Sequence, residues 1–515
     1  MILDLVKTIL ATALDTMLLY PSPVRDIPKS PKSPRKSFHE HPRTSKPTLK
    51  SLGNEVVEAF TSQIESRRMS TMSARLQRRY LEKMRNSTEC MLPSYNHTLP
   101  TGRERGTTLA VDLGGSTLRI ALIELSGRSE GATGSRIIHM SVSTITNAVR
   151  RLPGCSFFDW MADKIVAVLQ ECPQYRNGGT EDPLPVGLSW SFPVEQTSPS
   201  GGKVQGMGKG FCCAQETVGR DLGQLITGAC LARGVHLRID ALVNDSCATL
   251  LSRAYSDPCT SMSLILGTGT NMAIHLPTSS LGPSKLDVRQ REWLAQAEKV
   301  TINTELSMFG KGILPASRWD DLLNRNHALP NFQPLEYMTT GRYLGEILRL
   351  IIVEATERAG LFNGHLPSCL REEYSLDTTV LAMIERDNPH ASTMAPFLKR
   401  TWNLDTCPSA TEMAFLRVVT TSISKRAAAF IATAIHALWV VERQACGVEK
   451  PSKTMIACNG SVIERYPGFR RRCQDYIAEI IECDSNVYLR DSEVMLQIAG
   501  DAAIIGAAVA VMARN

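Results

Sequence analysis

No two cysteines in this chain stand at redox or zinc-finger spacing. The fourteen are scattered, with no C-x-x-C and no histidines at matching intervals, and the adjacent Cys212-Cys213 suits neither role. A disulfide framework and a structural zinc site are therefore set aside, and mostly buried thiols in a reducing compartment are expected. The common nucleotide-binding signatures are missing too. There is no G-x-x-x-x-G-K-[ST], no G-x-G-x-x-G at either glycine-rich turn, and no protein-kinase motif set. Spare charge on the body is also scarce. The net charge is +6, but residues 21–50 alone hold eight Lys/Arg against Asp26 and Glu40, a local +6, so the rest is near neutral. No basic nucleic-acid surface is implied for the body.

What is present begins with residues 1–20. At helical spacing Ile2, Leu5, Val6, Ile9, Leu10, Leu14 and Met17 cover one face, and Asp4, Lys7, Thr8, Thr12, Asp15 and Thr16 the other. Two aspartates argue against a spanning helix, and the acids argue against a mitochondrial presequence. An amphipathic helix on a membrane surface or a partner protein is expected, the alternative being a helix packed on the body. Residues 21–50 carry seven prolines and read as a disordered basic linker with phosphorylatable Ser-Pro steps. The expected location is cytoplasmic, with tethering to the mitochondrial outer surface and nuclear access through the basic linker as further expectations.

The body opens with a helical pattern over residues 52–90. The run Leu109–Leu113, with Asp112 near its end, is followed by Gly114-Gly115-Ser116-Thr117 and a second apolar stretch over 120–125. This reads as a strand–turn–strand hairpin whose amides can face a phosphate, with Asp112 placed to hold Mg²⁺ directly or through water. A helix over 159–170, a strand over 184–192, a helix over 215–233 and a strand over 237–244 running into Asp245 come next. A second glycine–hydroxyl turn, Gly267-Thr268-Gly269-Thr270-Asn271, separates two further strands.

With these pieces in order the chain resembles eukaryotic hexokinases of the fungal type from about residue 52 to 515. Further matches are Met91-Leu92-Pro93, Leu99-Pro100-Thr101-Gly102, Ser191-Phe192-Pro193, Leu242-Val243-Asn244-Asp245, Ile302-Asn303-Thr304-Glu305, Leu335-Glu336, Asn459-Gly460-Ser461 and Tyr466-Pro467-Gly468-Phe469. The resemblance implies an α/β, two-domain actin-like ATPase (ribonuclease H-like) sugar-kinase fold with an interdomain cleft. Its spans would be a small domain over 51–248, a large domain over 249–498, and a C-terminal helix over 499–515 returning to the small domain.

The implied activity is ATP-dependent phosphorylation of glucose or a similar hexose at the 6-hydroxyl, with Mg²⁺. The alternative is a catalytically weak hexokinase-like regulatory protein in nutrient signalling. Asp245 would be the general base and Lys209 would offset charge beside it. Ser191, Gly208, Lys209, Asn244, Asn271, Glu305 and Glu336 would line the sugar. Asp112, Gly114, Gly115, Ser116 and Thr117, then Gly267, Thr268 and Gly269, then Asn459, Gly460 and Ser461 would hold ATP. A monomer or weak dimer is expected.

Several positions depart from the family pattern. Gly208 replaces a sugar-contacting Thr and Met207 a Trp. Ser116-Thr117 replaces Thr-Asn, Asn459 replaces an Asp, and Asn331-Phe332-Gln333-Pro334 differs from Gly-Gln-Gln. Asp501-Ala502-Ala503-Ile504 replaces Asp-Gly-Ser-Gly, where Ile504 would either crowd ATP or tighten helix packing.

Overall fold

A computed structural model describes the chain from Pro47 to Ala513, apart from residues 129–133, 176–182, 208–210, 287–288, 290, 389–391 and 485. The amphipathic segment and basic linker expected over residues 1–50 lie almost wholly outside the described residues, as do Gly208 and Lys209.

The strands run in chain order β1 (Leu92–Pro93), β2 (Gly106–Leu113), β3 (Thr117–Leu125), β4 (Ser135–Thr144), β5 (Leu184–Trp190), β6 (Val194–Gln196), β7 (Gly202–Val204), β8 (Leu237–Val243), β9 (Thr260–Leu266), β10 (Thr270–Pro277), β11 (Lys299–Asn303), β12 (Lys453–Asn459) and β13 (Glu493–Ile498). The principal helices are α1 (Leu49–Thr61), α2 (Ser66–Asn86), α3 (Gly154–Glu171), α4 (Leu222–Leu231), α5 (Asp245–Ser256), α6 (Gly341–Ala359), α7 (Ala410–Ala445), α8 (Phe469–Glu482) and α9 (Ala502–Met512).

One plan is used twice. In the five-stranded sheet, ordered β4-β3-β2-β5-β8, a three-stranded antiparallel meander is extended by two parallel strands. In the six-stranded sheet, β1-β11-β10-β9-β12-β13, the meander β9–β10–β11 is extended by parallel β12 and β13, with β1 added at the far edge. Each meander opens with one of the two glycine–hydroxyl turns, and each last strand runs into a helix, α5 or α9.

The first sheet is covered on both faces, which is why Leu109-Ala110-Val111 in the middle of β2 is apolar at every position. Leu109, Val111 and Leu113 point to a core with α3 and α4, while Ala110 points the other way with Ala121 and Ala241 toward α9. The small residues on that second face answer a close approach. A Cβ on Gly187 of β5 would lie 2.1 Å from the carbonyl oxygen of Ala507, and one on Gly506 would lie 1.8 Å from that of Ala248. Helix α9 is thus wedged between β5 and α5 with backbone against backbone. Ile504 is fully buried in this same core with Ala248 and Leu251, so it tightens helix packing.

Two sequence expectations need correction. The single helical pattern over 52–90 is two helices, because Glu65 is extended (φ −68°, ψ 143°). The helix over 215–233 is a short turn of helix, Ala214–Thr217, and then α4; Gly219 takes a left-handed φ of +80° between them and the Asp221 carboxylate caps α4 by accepting from Gln224 N–H. Within the span 51–248, α1 and α2 turn their apolar faces away from the first sheet. Leu52, Val56, Phe60, Met69, Leu76 and Tyr80 bury against α7 and the second sheet's core, since an amphipathic pattern says that a face is covered but not by what. Helix α7 is long and apolar enough to cross a membrane by length and composition, yet it forms the middle of that core.

The wedge generates a prediction. Gly506→Ala drives a methyl into the Ala248 carbonyl and should lower stability by about 1–3 kcal/mol. Urea unfolding would read this as a reduced midpoint at unchanged slope.

Candidate active site

The two sheets bring their strand ends together. Parallel β2, β5 and β8 end at Leu113, Trp190 and Val243, and β9, β12 and β13 at Leu266, Asn459 and Ile498. In open α/β sheets the crevice beyond such carboxyl ends is where ligands bind.

At the first sheet, Asn244 caps α5: its side-chain oxygen accepts from Ser246 N–H at 2.9 Å and from the Ser246 hydroxyl at 2.7 Å. That cap fixes Asp245 as the first helical residue, half-exposed at the strand end. Ser191 follows β5 by one residue, and its hydroxyl donates to Asp245 Oδ2 at 3.1 Å. The Ser191 N–H donates to the Leu113 carbonyl at 3.2 Å, which ties this pair to the first glycine turn. In that turn Gly114 N–H donates to the Thr117 carbonyl at 3.0 Å, and the Arg150 guanidinium donates to the Gly115 carbonyl at 3.0 Å. Ser116 is exposed at its tip.

Asp112 sits just below the turn, buried, with Arg119 Nη1 3.8 Å away across the hairpin. Burial pushes its carboxyl up to about 6; the Arg119 guanidinium and the nearby Ser189 hydroxyl oppose this, and the negative charges of Asp245 and Asp501 add to it. Three carboxylates thus share one neighbourhood, with Arg119 close to the first of them.

At the second sheet the Gly267–Thr270 turn is held from three sides. Gly341 N–H, at the start of α6, donates to the Gly267 carbonyl at 2.8 Å, and the Thr340 hydroxyl donates to the Thr268 carbonyl at 3.1 Å. The Glu336 carboxylate accepts from Thr270 N–H at 3.1 Å and lies so close to Gly269 that a Cβ there would be 2.8 Å from Oε2. Gly460 backs onto the turn with φ +121°, and a Cβ on it would meet the Leu266 carbonyl at 2.5 Å. Beside it, the Asn459 amide donates to the Ala499 carbonyl at 3.0 Å. An aspartate could not make that bond, so this departure joins the ends of β12 and β13.

A polar relay runs on from the turn. The Asn271 amide donates to Asn303 Oδ1 at 2.8 Å, and the Asn303 amide donates to Glu305 Oε1 at 2.7 Å. Glu305 is held at φ +50°, an unusual region for a non-glycine residue. The two sheets' carboxylates meet around Cys247 in α5: burial first, then the charges of Asp245 and Glu305, push its thiol up to about 12.

The structure therefore gathers Asp112, Ser191, Asn244 and Asp245 on one side and Asn271, Glu305, Glu336 and the second turn on the other, with Asn459, Gly460 and Ser461 behind that turn. Sequence reading passed over Asn303, Ser189, Arg119 and Asp501 as site residues. Asn303 left a weak trace, an amide at a strand end two residues before a glutamate. Arg150 left none. Among the described residues no group of three or more His, Cys, Asp or Glu side chains is arranged to hold a metal on its own.

Comparison with known proteins places the chain in a family. Two family profiles described as Hexokinase match residues 51–255 and 261–513. Hexokinase-2 of Candida albicans is 30% identical over 423 residues, covering 81% of this chain and 83% of that protein. N-acetylglucosamine kinase 1 of the same organism is 28% identical over 482 residues, 89% of this chain and 93% of its own. A solved hexokinase from Schistosoma mansoni complexed with glucose superposes with a TM-score of 0.73 at 26% identity, covering 91% of this chain and all of that one. The chain belongs to the hexokinase family.

Proposed function

We propose that this protein transfers the terminal phosphoryl group of ATP to the 6-hydroxyl of a hexose, with Asp245 as the general base. The observation that carries this reading is the placement of Asp245. It is half-exposed at the cap of α5, takes a hydrogen bond from Ser191, and is tied through Ser191 N–H to the strand that enters the first glycine turn. A neutral hydroxyl is a poor nucleophile, and a positioned carboxylate removes its proton as the new bond forms. Membership of the hexokinase family supports the same reaction.

Glu305 and Glu336 would accept hydrogen bonds from sugar hydroxyls. Asn303 and Asn271 hold Glu305 in place, so the carboxylate is oriented before sugar arrives. Ser191 would keep the Asp245 carboxylate turned toward the cleft, and Asn244 sets its helix. The two turns would take the phosphates through backbone amides. Lys209 is assigned beside the transferred group by resemblance.

Asp112 fits a divalent cation: it is an oxygen donor in a pocket crowded by carboxylate charge, and Mg²⁺ is commonly bound through one or two carboxylates together with phosphates and water. Bound with the nucleotide, Mg²⁺ supplies charge neutralisation on the phosphate oxygens. No observation favours the regulatory alternative, because Ile504 packs in the core and Asn459 makes a bond of its own.

The deciding experiment is a coupled phosphorylation assay with glucose, fructose, mannose and N-acetylglucosamine, alongside calorimetric titration of sugar and ATP. Asp245→Ala should cut kcat by roughly 10²–10⁴-fold while sugar still binds; sugar and ATP binding without turnover in the unmodified protein would overturn the proposal. Asn303→Ala removes the donor from Glu305 and should cost about 1.5–3 kcal/mol, seen as a raised sugar KM with a smaller change in kcat.

Asp112 gives a pH-dependent test. Its folded carboxyl titrates near 6, above the ordinary 3.8, so the folded state holds the extra proton between those values and stability falls as pH rises through that window. In nucleotide-free protein Asp112→Asn should be the more stable form above pH 6, by on the order of 1–3 kcal/mol, with the gap closing below about pH 4. Thermal melts across pH 4–8 would show a constant gap, or none, if the burial argument is wrong.

A further inference from the structure

The near-neutral body conceals one strongly charged face. Helix α2 carries Arg67, Arg68, Arg75, Arg78, Arg79, Lys83 and Arg85, with Glu82 its only acid. Its apolar side, Met69, Met72, Leu76, Tyr80 and Met84, is buried, which turns the cations outward. Along the middle of this face a depression of about 370 Å³ is lined by Arg75, Arg78, Arg79 and Glu82 from the helix and by Lys311 and Gly312 from the turn facing it.

The depression is built, not incidental to a bare helix. Arg75 Nη2 donates to the Gly312 carbonyl at 2.6 Å, which fastens the Gly310–Gly312 turn to α2 and brings Lys311 to the rim. Gly310 and Gly312 both have left-handed φ, +100° and +69°, and these shape the turn. Glu82 is already engaged, accepting from Arg79 Nη1 through both oxygens at 3.0 and 2.7 Å. Arg78 and Lys311 are exposed and have no ionic partner among the described residues.

We propose that this basket binds a small, multiply phosphorylated anion, free or as the headgroup of a phosphorylated lipid. Four cations against one neutralised carboxylate leave a charge excess that a single phosphate does not match. Guanidinium groups prefer phosphate oxygens because their N–H fork fits them two at a time, and Lys311 adds a point charge at the mouth. Lys311 is six residues beyond Glu305, with only the short helical turn Leu306–Met308 and Phe309-Gly310 between them, so an occupied basket borders the segment that presents Glu305. The site is separate from the proposed catalytic reading and stands if that reading fails.

The test uses the full chain in calorimetric titration with inositol hexakisphosphate. In parallel it is co-sedimented with phosphatidylcholine vesicles, with and without 5% phosphatidylinositol 4,5-bisphosphate. The double variant R78E/K311E alters two exposed residues, and its thermal melt should overlay that of the unmodified protein. The proposal expects binding that weakens as salt is raised and an affinity at least tenfold lower in the variant. Loss confined to the vesicles identifies the lipid source, and loss in the soluble titration identifies the free anion. No binding at low salt overturns the proposal. So does an unchanged affinity in R78E/K311E, which would mean that the basic residues 21–50 or the catalytic cleft hold the anion.

Discussion

Everything at the centre of this molecule depends on three backbones being able to touch. Helix α9 lies against β5 at Gly187 and against α5 at Gly506, at separations that leave no room for a single methyl. Because α5 leaves the first sheet to pack on β9 and β10, and α9 leaves the second sheet to pack on β2 and β5, the pair cross-links the two halves. The same contact sets where Asp245 and Asp501 fall, since each begins or immediately precedes one of these helices. Side-chain bulk on this face is correspondingly small: Ala110, Ala121, Ala241, Ala248, Ala507 and Ala508.

The chemistry is arranged around that join by short polar links. On one side Asn244 caps the helix, Asp245 stands first in it and Ser191 donates to its carboxylate. On the other the Asn271–Asn303–Glu305 relay fixes a second carboxylate in a backbone conformation that a free chain would rarely adopt. Asp112 is the clearest instance of a residue that lowers stability where it stands: it is buried, close to other carboxylates and raised in pKa. Such a position is expected where a cation and phosphates complete the charge balance.

Much of this was legible in the chain. The two glycine turns, the Asn-Asp at a strand end and the two glutamates are local patterns with local causes, so each can be picked out along the chain. What could not be read was anything set by contact between distant segments. The apolar faces of α1 and α2 announce burial but not that α7 covers them. Ile504 left two readings, crowding of nucleotide or tighter helix packing, because residue type carries no direction; the structure turns it into the core. Asn459 looked like a lost charge, whereas its amide finds the Ala499 carbonyl forty residues on. The cationic face of α2 vanished into a whole-body total near zero.

Glu336 has one further consequence. The carboxylate assigned to the sugar also holds the Thr270 amide, part of the turn assigned to phosphate. A hexose that draws this side chain toward itself alters the grip available to the nucleotide, and the nucleotide alters the hexose site by an equal factor. On the proposed reading, the two substrates would be linked in affinity through one shared anion.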